Sequence, residues 1–371
     1  MTKDLLKQLV QARSTPQAGE LAAAEVIAAH FADHGVDCQL DRWENNRANV
    51  VAHVKSTGER PALYFVCHLD VVSPGEEPWH HDPFEAHEAN GKIYGRGTAD
   101  MKGGTAAAVG AICETLKAGV ELKGDILFAA TAGEETDSVG IIRLMQNAAA
   151  LPPAAGVIIP EPTDLAVVTA HRGLLWLEIT TKGKAVHSSM PERGVNAIMA
   201  MNQVLDALEG YEITYAPHPM LGACSLSVNM IAGGEAMNIV PEQCVMGVDI
   251  RTLPGQNHGA ILSDIEQLLA QLRAENRRFD GTLSVDRSVE ALETDAECPF
   301  VQTFCSAVDV DLVNAVGFTT DAPHLASLGA PIIIYGPGKS SQCHQVNEHL
   351  AVDDLQQATD VFKGVIRTFL T

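Results

Sequence analysis

Four apolar runs in this chain each lead into a carboxylate or a histidine. Ala62 to Cys67 runs into His68-Leu-Asp70, and Asp125 to Ala130 runs toward Glu134-Glu135. Gly156 to Ile159 runs into Glu161, and Pro331 to Tyr335 runs through Gly-Pro-Gly toward His344. Short continuous apolar runs suit strands of a sheet covered on both faces. In open α/β sheets, sites form beyond the carboxyl ends of the strands. Side chains far apart in sequence are therefore expected to converge.

The chain has 371 residues, long enough that two domains are expected. Its formal charge of −22 excludes a nucleic-acid partner that needs clustered Lys and Arg, and otherwise favours solubility. Eight dispersed cysteines with no Cys-x-x-Cys pair argue against a zinc ribbon, a redox motif or a disulfide framework. No secretory h-region opens the chain and no stretch has the length of a membrane span, so a cytoplasmic protein is expected.

The first segment alternates helical and strand patterns: a helix over 4–34, strands over 49–54 and 62–67, and an Ala-rich helix over 103–117. A strand over 125–130, a helix over 138–146 and a strand over 156–159 follow. This predicts an α/β fold with a mixed, mainly parallel sheet and helices on both faces. After Arg172 the order becomes β-α-β-β-α-β, a ferredoxin-like α+β unit. A strand over 332–335 and a helix over 353–370 then resume the first pattern. The expected division is 1–172 with 288–371 as one domain, and 173–287 inserted into it.

Each chemical motif alone has an ordinary explanation: a surface His and Asp at a strand end, a helix-capping Asp100, a solvated Glu pair, a rigid Pro-Glu-Pro turn. The chemical alternatives are specific. His68 is a natural zinc ligand, with Asp70 placed to hydrogen-bond its other ring nitrogen. Asp100 lies in a Gly-rich loop that lacks the P-loop Lys-Ser/Thr, and its two oxygens can bridge two ions. Of Glu134 and Glu135, one can ligate while the other manages a water. Together with Glu161 and His344, the set suits two zinc ions about 3.5–4 Å apart.

The runs His68-Leu-Asp70-Val-Val, Gly91-Lys-Ile-Tyr-Gly-Arg-Gly97, Ala99-Asp-Met-Lys-Gly103, Gly133-Glu-Glu135, Glu161-Pro-Thr163 and Cys343-His-Gln345 resemble a known family. It is that of the di-zinc amidohydrolases, including acetylornithine deacetylase, succinyl-diaminopimelate desuccinylase, aminoacylase and glutamate carboxypeptidase. The resemblance implies a zinc-peptidase-like catalytic domain with an inserted lid and dimerisation domain. It also implies one zinc on His68 and Glu161, the other on Glu135 and His344, and Asp100 bridging. Co2+ or Mn2+ could substitute. Asp70 would support His68, and Glu134 would be the general base. The peptide after Asp100 would be cis. In the inserted domain His187 would stabilise the oxyanion, from this subunit or a partner, with helix capping as its bland alternative. Arg251, Asn238 and Gly336 would contact substrate, although Arg251 could equally be a strand-edge charge. Cys67 and Cys343 depart from the Gly and Ala common at those places, and Cys67 is expected to be a packing residue.

The expected activity is hydrolysis of the amide bond of an N-acyl amino acid, in a homodimer acting on a small molecule or short peptide. A dipeptidase or carboxypeptidase is the alternative on the same fold. A non-catalytic metal-binding scaffold is the alternative of another class, and it would have no need of Glu134.

Overall fold

The computed structural model describes residues 1–371. Two compact units emerge: Met1–Thr169 with Thr294–Ala315 and Thr320–Thr371, and Ala170–Glu293 with Val316–Thr319.

The larger unit is built on a mixed sheet. Its strand order is Cys38–Arg42, Ala48–Val54, Gly124–Thr131, Arg60–His68, Ala154–Ile159, Ile332–Ile334 and Val168–His171. The central four strands are parallel, and those flanking them are antiparallel. Every residue from Ala62 to Asp70 is buried, so this strand is covered on both faces, and its apolar run is continuous for that reason. The helix Gly103–Lys117 is buried along most of its length. Its Gly104 is required by close approach, because a Cβ there would collide with the Pro160 carbonyl oxygen.

One long N-terminal helix was expected over 4–34. The structure instead has two, Thr2–Gln11 and Leu21–Ala32. The break passes through Gly19 at φ +76°, where a Cβ would lie 2.5 Å from the carbonyl oxygens of Asn45 and Asn46. A small sheet of His87–Ala89, Lys92–Tyr94 and His349–Ala351 is an addition that the apolar pattern did not signal.

The smaller unit has the predicted β-α-β-β-α-β order. Its antiparallel sheet runs Ser225–Gly233, Gln243–Thr252, Gly173–Lys182, Asp280–Val289. Leu175, Leu177, Ile179, Val248 and Ile250 pack against Met201 and Val204 of Ala197–Glu209 and Ile261 and Ile265 of His258–Glu275. The last strand stays paired as far as Val289 opposite Leu174, which carries this unit beyond residue 287 to Glu293. No helix of the chain is long and apolar enough to cross a membrane.

Candidate metal centre

Strand ends bring the predicted residues of the larger unit together. His68 is the last residue of Arg60–His68, and Glu161 follows Ala154–Ile159 by a tight turn in which its N–H donates to the Ile159 carbonyl at 2.9 Å. These strands are parallel neighbours, so their carboxyl ends are adjacent. His68 Nε2 lies 3.2 Å from Asp100 Oδ1 and 3.5 Å from Glu161 Oε1. His344 Nε2 lies 3.0 Å from Glu135 Oε1 and 3.4 Å from Asp100 Oδ2. Asp100 therefore turns one oxygen to each histidine. Donor atoms of His68, Asp100 and Glu161 lie within 4.8 Å of one another, and so do those of Asp100, Glu135 and His344. The Asp100–Met101 peptide is cis.

The charges are strongly coupled. Burial works against charge on His68, but Glu161, Asp100 and Asp70 outweigh it and hold its pKa well above the ordinary value. Hydrogen bonds to Asp100 and Glu135 raise His344 to about 10. Burial raises Glu161 and Glu135, and the charge of Asp100 adds to it. Asp100 is lowered despite its burial, because His344 and His68 both face it. Buried carboxylates that raise one another's pKa attract cations. Two histidines and three carboxylates are a nitrogen and oxygen donor set that fits a pair of divalent ions.

Asp70 lies where the sequence placed it but acts through different atoms. The closer acceptor to His68 Nδ1 is the Asp70 backbone carbonyl at 3.0 Å, while its carboxylate Oδ1 stands at 3.6 Å. The carboxylate accepts instead from the backbone N–H groups of Gly133, Glu134 and Glu135, at 2.9, 3.1 and 3.0 Å. One residue thus orients His68 and pins the turn that carries both glutamates. Glu134 is buried and belongs to neither ligand triad. Burial raises its pKa well above the ordinary carboxylate value; His68 works against this, and the nearby charges of Asp321, Glu135 and Glu161 add to it.

The sequence reading missed Glu348. Its buried carboxylate accepts from the N–H groups of Gly97, Ala99 and Asp100, at 3.0, 2.8 and 3.1 Å. It also pairs with Arg96 Nη1 at 2.7 Å. Glu348 thereby ties the segment that carries His344 to the loop that carries Asp100. No spacing rule would find it, because most of its partners are backbone amides. Gly336 is packed so closely against Pro160 and Glu161 that a Cβ would collide with their carbonyls, and its N–H donates to Thr163 Oγ1 at 3.1 Å.

In the smaller unit His187 and Asn238 are brought side by side. His187 forms an isolated bridge with Ile239, and the Ser188 N–H donates to the Asn238 carbonyl at 2.9 Å. His187 Nδ1 lies 2.8 Å from Ser189 Oγ. Arg251 lies on an interior strand, not an edge, and pairs with Asp249 at 3.1 Å. The thiols beside the ligands lie outside both donor triads; burial raises Cys67 to about 12, and burial with the charge of Asp100 raises Cys343 further.

The fold and the donor set define a metal-dependent hydrolase of amide bonds. Residues 64–368 match the model of Peptidase family M20/M25/M40, and the chain belongs to that family, whose members are typically dinuclear metal enzymes. The chain is 29% identical to a probable succinyl-diaminopimelate desuccinylase of Staphylococcus epidermidis, over 95% of this chain and 93% of the relative. It is 30% identical to acetylornithine deacetylase of Myxococcus xanthus, over 89% and 86%. Among solved structures, an M20 family metallo-carboxypeptidase of Sulfolobus solfataricus superposes with a TM-score of 0.82 at 18% identity, covering 99% of both chains.

Proposed function

We propose that this enzyme hydrolyses the amide bond of an N-acyl amino acid, releasing a carboxylate and a free amine. The observation that carries the reading is the division of the buried acids. Asp100, Glu135 and Glu161 face the two histidines, and Glu134 stands beside them outside both triads. His68 and Glu161 would hold one ion, Glu135 and His344 the other, and Asp100 both. Zinc is the proposed metal, with Co2+ or Mn2+ able to substitute. The ion pair would polarise the scissile carbonyl and acidify the attacking water.

Glu134 then takes the proton from that water and returns it to the leaving nitrogen. Its pKa, raised by burial, suits a group that must both accept and release a proton. Asp70 keeps the base and Glu135 in register through the backbone amides of their turn. His187 is assigned to the oxyanion, its Nδ1 contact with Ser189 leaving Nε2 to act. Arg251, Asn238 and Gly336 are assigned to the substrate.

Deacylation is preferred to peptide hydrolysis because relatives of about 30% identity bear deacylase names. The residues 170–293 are proposed as a lid and dimerisation unit. Their edge strand Ser225–Gly233 carries Val228, Met230 and Ile231 exposed, a surface suited to a second copy of this chain. Eight unpaired cysteines support a reducing, cytoplasmic setting. The deciding experiment incubates zinc- or cobalt-loaded protein with N-acetyl and N-succinyl amino acids and with dipeptides. Turnover of acyl amino acids above dipeptides is expected. Turnover of dipeptides alone would reassign the enzyme as a peptidase, and turnover of neither would remove the reading.

A further inference from the structure

Three more ligand-type side chains gather in the larger unit, apart from the metal centre. His30 lies in the last turn of the helix Leu21–Ala32, His34 follows a turn later, and Cys113 comes from the helix Gly103–Lys117. One ligand atom from each lies within 4.8 Å of the others, and the two imidazole rings are 5.0 Å apart. The His-x-x-x-His spacing places both rings on one side of a helical turn.

The hydrogen bonding leaves the donors free to ligate. His34 Nδ1 donates to the His30 carbonyl at 2.8 Å, so its Nε2 is the basic nitrogen. His30 Nε2 is sealed from solvent and has no hydrogen-bond partner, a state that is costly for a buried polar atom. Cys113 is buried and unpaired. Burial lowers the pKa of His30, which keeps its imidazole neutral as a ligand must be. Burial, with Cys38 nearby, raises Cys113 to about 12.

We propose that His30, His34 and Cys113 form a second transition-metal site, binding Zn2+ through two imidazoles and one thiolate. The thiolate makes this site softer than the histidine and carboxylate centre. The ion would fasten the end of one helix to the buried helix beside it. Cys113 loses its proton on ligation, so uptake releases a proton and weakens as pH falls. His34 lines a cavity of about 750 Å³, which offers an entry path from its side.

The test uses the full chain, stripped of metal and reloaded with Co2+. A thiolate on Co2+ gives a near-ultraviolet charge-transfer band that histidine and carboxylate ligands do not. The band is expected in the unaltered protein and in Cys343→Ser, and should vanish in Cys113→Ser. Metal analysis should give one equivalent beyond the dinuclear pair, lost in the same variant while hydrolysis continues. His34→Ala changes a partly exposed residue and covers the case in which Cys113→Ser does not fold. It should weaken this site at least about tenfold. Absence of the band from the unaltered protein, its survival in Cys113→Ser, or full-strength binding in His34→Ala would each overturn the proposal.

Discussion

The metal-centre histidines of the larger unit and a buried histidine of the smaller are held in opposite ways. In the larger, His68 and His344 face carboxylates at strand ends and loops, and their pKa values are held up. In the smaller, His258 is buried with Nε2 2.8 Å from Thr252 Oγ1 and Nδ1 2.8 Å from Ser288 Oγ, on two strands of the antiparallel sheet, and burial pushes its pKa down. A parallel sheet buried on both faces collects polar groups only at its ends, so its charged residues meet one another. The antiparallel sheet distributes them along an alternating surface, where a buried histidine is neutral packing. The same residue type is thus a ligand in one setting and part of the core in the other.

The sharpest way to break this contrast is Glu134→Ala. The expected loss in kcat is about 10²–10⁴-fold with both metals retained, read by kinetics and metal analysis. Loss of metal with activity would show that Glu134 belongs to the ligand set. Next comes Glu348→Gln, which removes the charge that gathers the Asp100 loop. Metal affinity or activity should drop about 10–100-fold, measured by chelator competition. An unchanged affinity would mean that the loop holds itself.

The third test is pH. His171, fully buried with its Nδ1 on the Arg172 carbonyl, titrates near 6.5 when unfolded and about 4 when folded, so the unfolded chain binds the extra proton between those values. Its stabilisation is complete above about 6.5 and is lost as pH falls toward about 4, by on the order of 3 kcal/mol. Denaturant titrations across that window should show the slope, and His171→Asn should flatten it. Fourth, Met230→Lys with Ile231→Lys should convert a dimer to monomer in light scattering. Fold stability should change by no more than about 0.5 kcal/mol, since both side chains are exposed. The smallest effect is expected from Cys67→Ala with Cys343→Ala, which should leave metal content and activity unchanged. A loss of metal there would make one thiol a ligand.

Much of this was legible in the chain. The continuous apolar runs marked the central strands, and alternation at Leu175, Leu177 and Ile179 marked the open-faced sheet. Periodicity reports which faces are buried, so these elements could be read directly. The break at Gly19 could not, because it depends on the close approach of Asn45 and Asn46. Asp70 was found but given one partner, since its bonds to the Gly133–Glu135 amides depend on how a turn some sixty residues away is placed. Glu348 was missed for the same reason.

By itself the sequence determined which side chains could carry the chemistry and on which strand ends they would stand. Periodicity and ligand type are local properties that folding does not alter. Only the tertiary structure decided that Asp100 offers one oxygen to each histidine, that Glu134 is left outside both triads, and that Glu348 holds the loop. Those facts depend on distances between segments as far apart as Asp100 and His344, and such distances exist only once the buried sheet has brought its ends together.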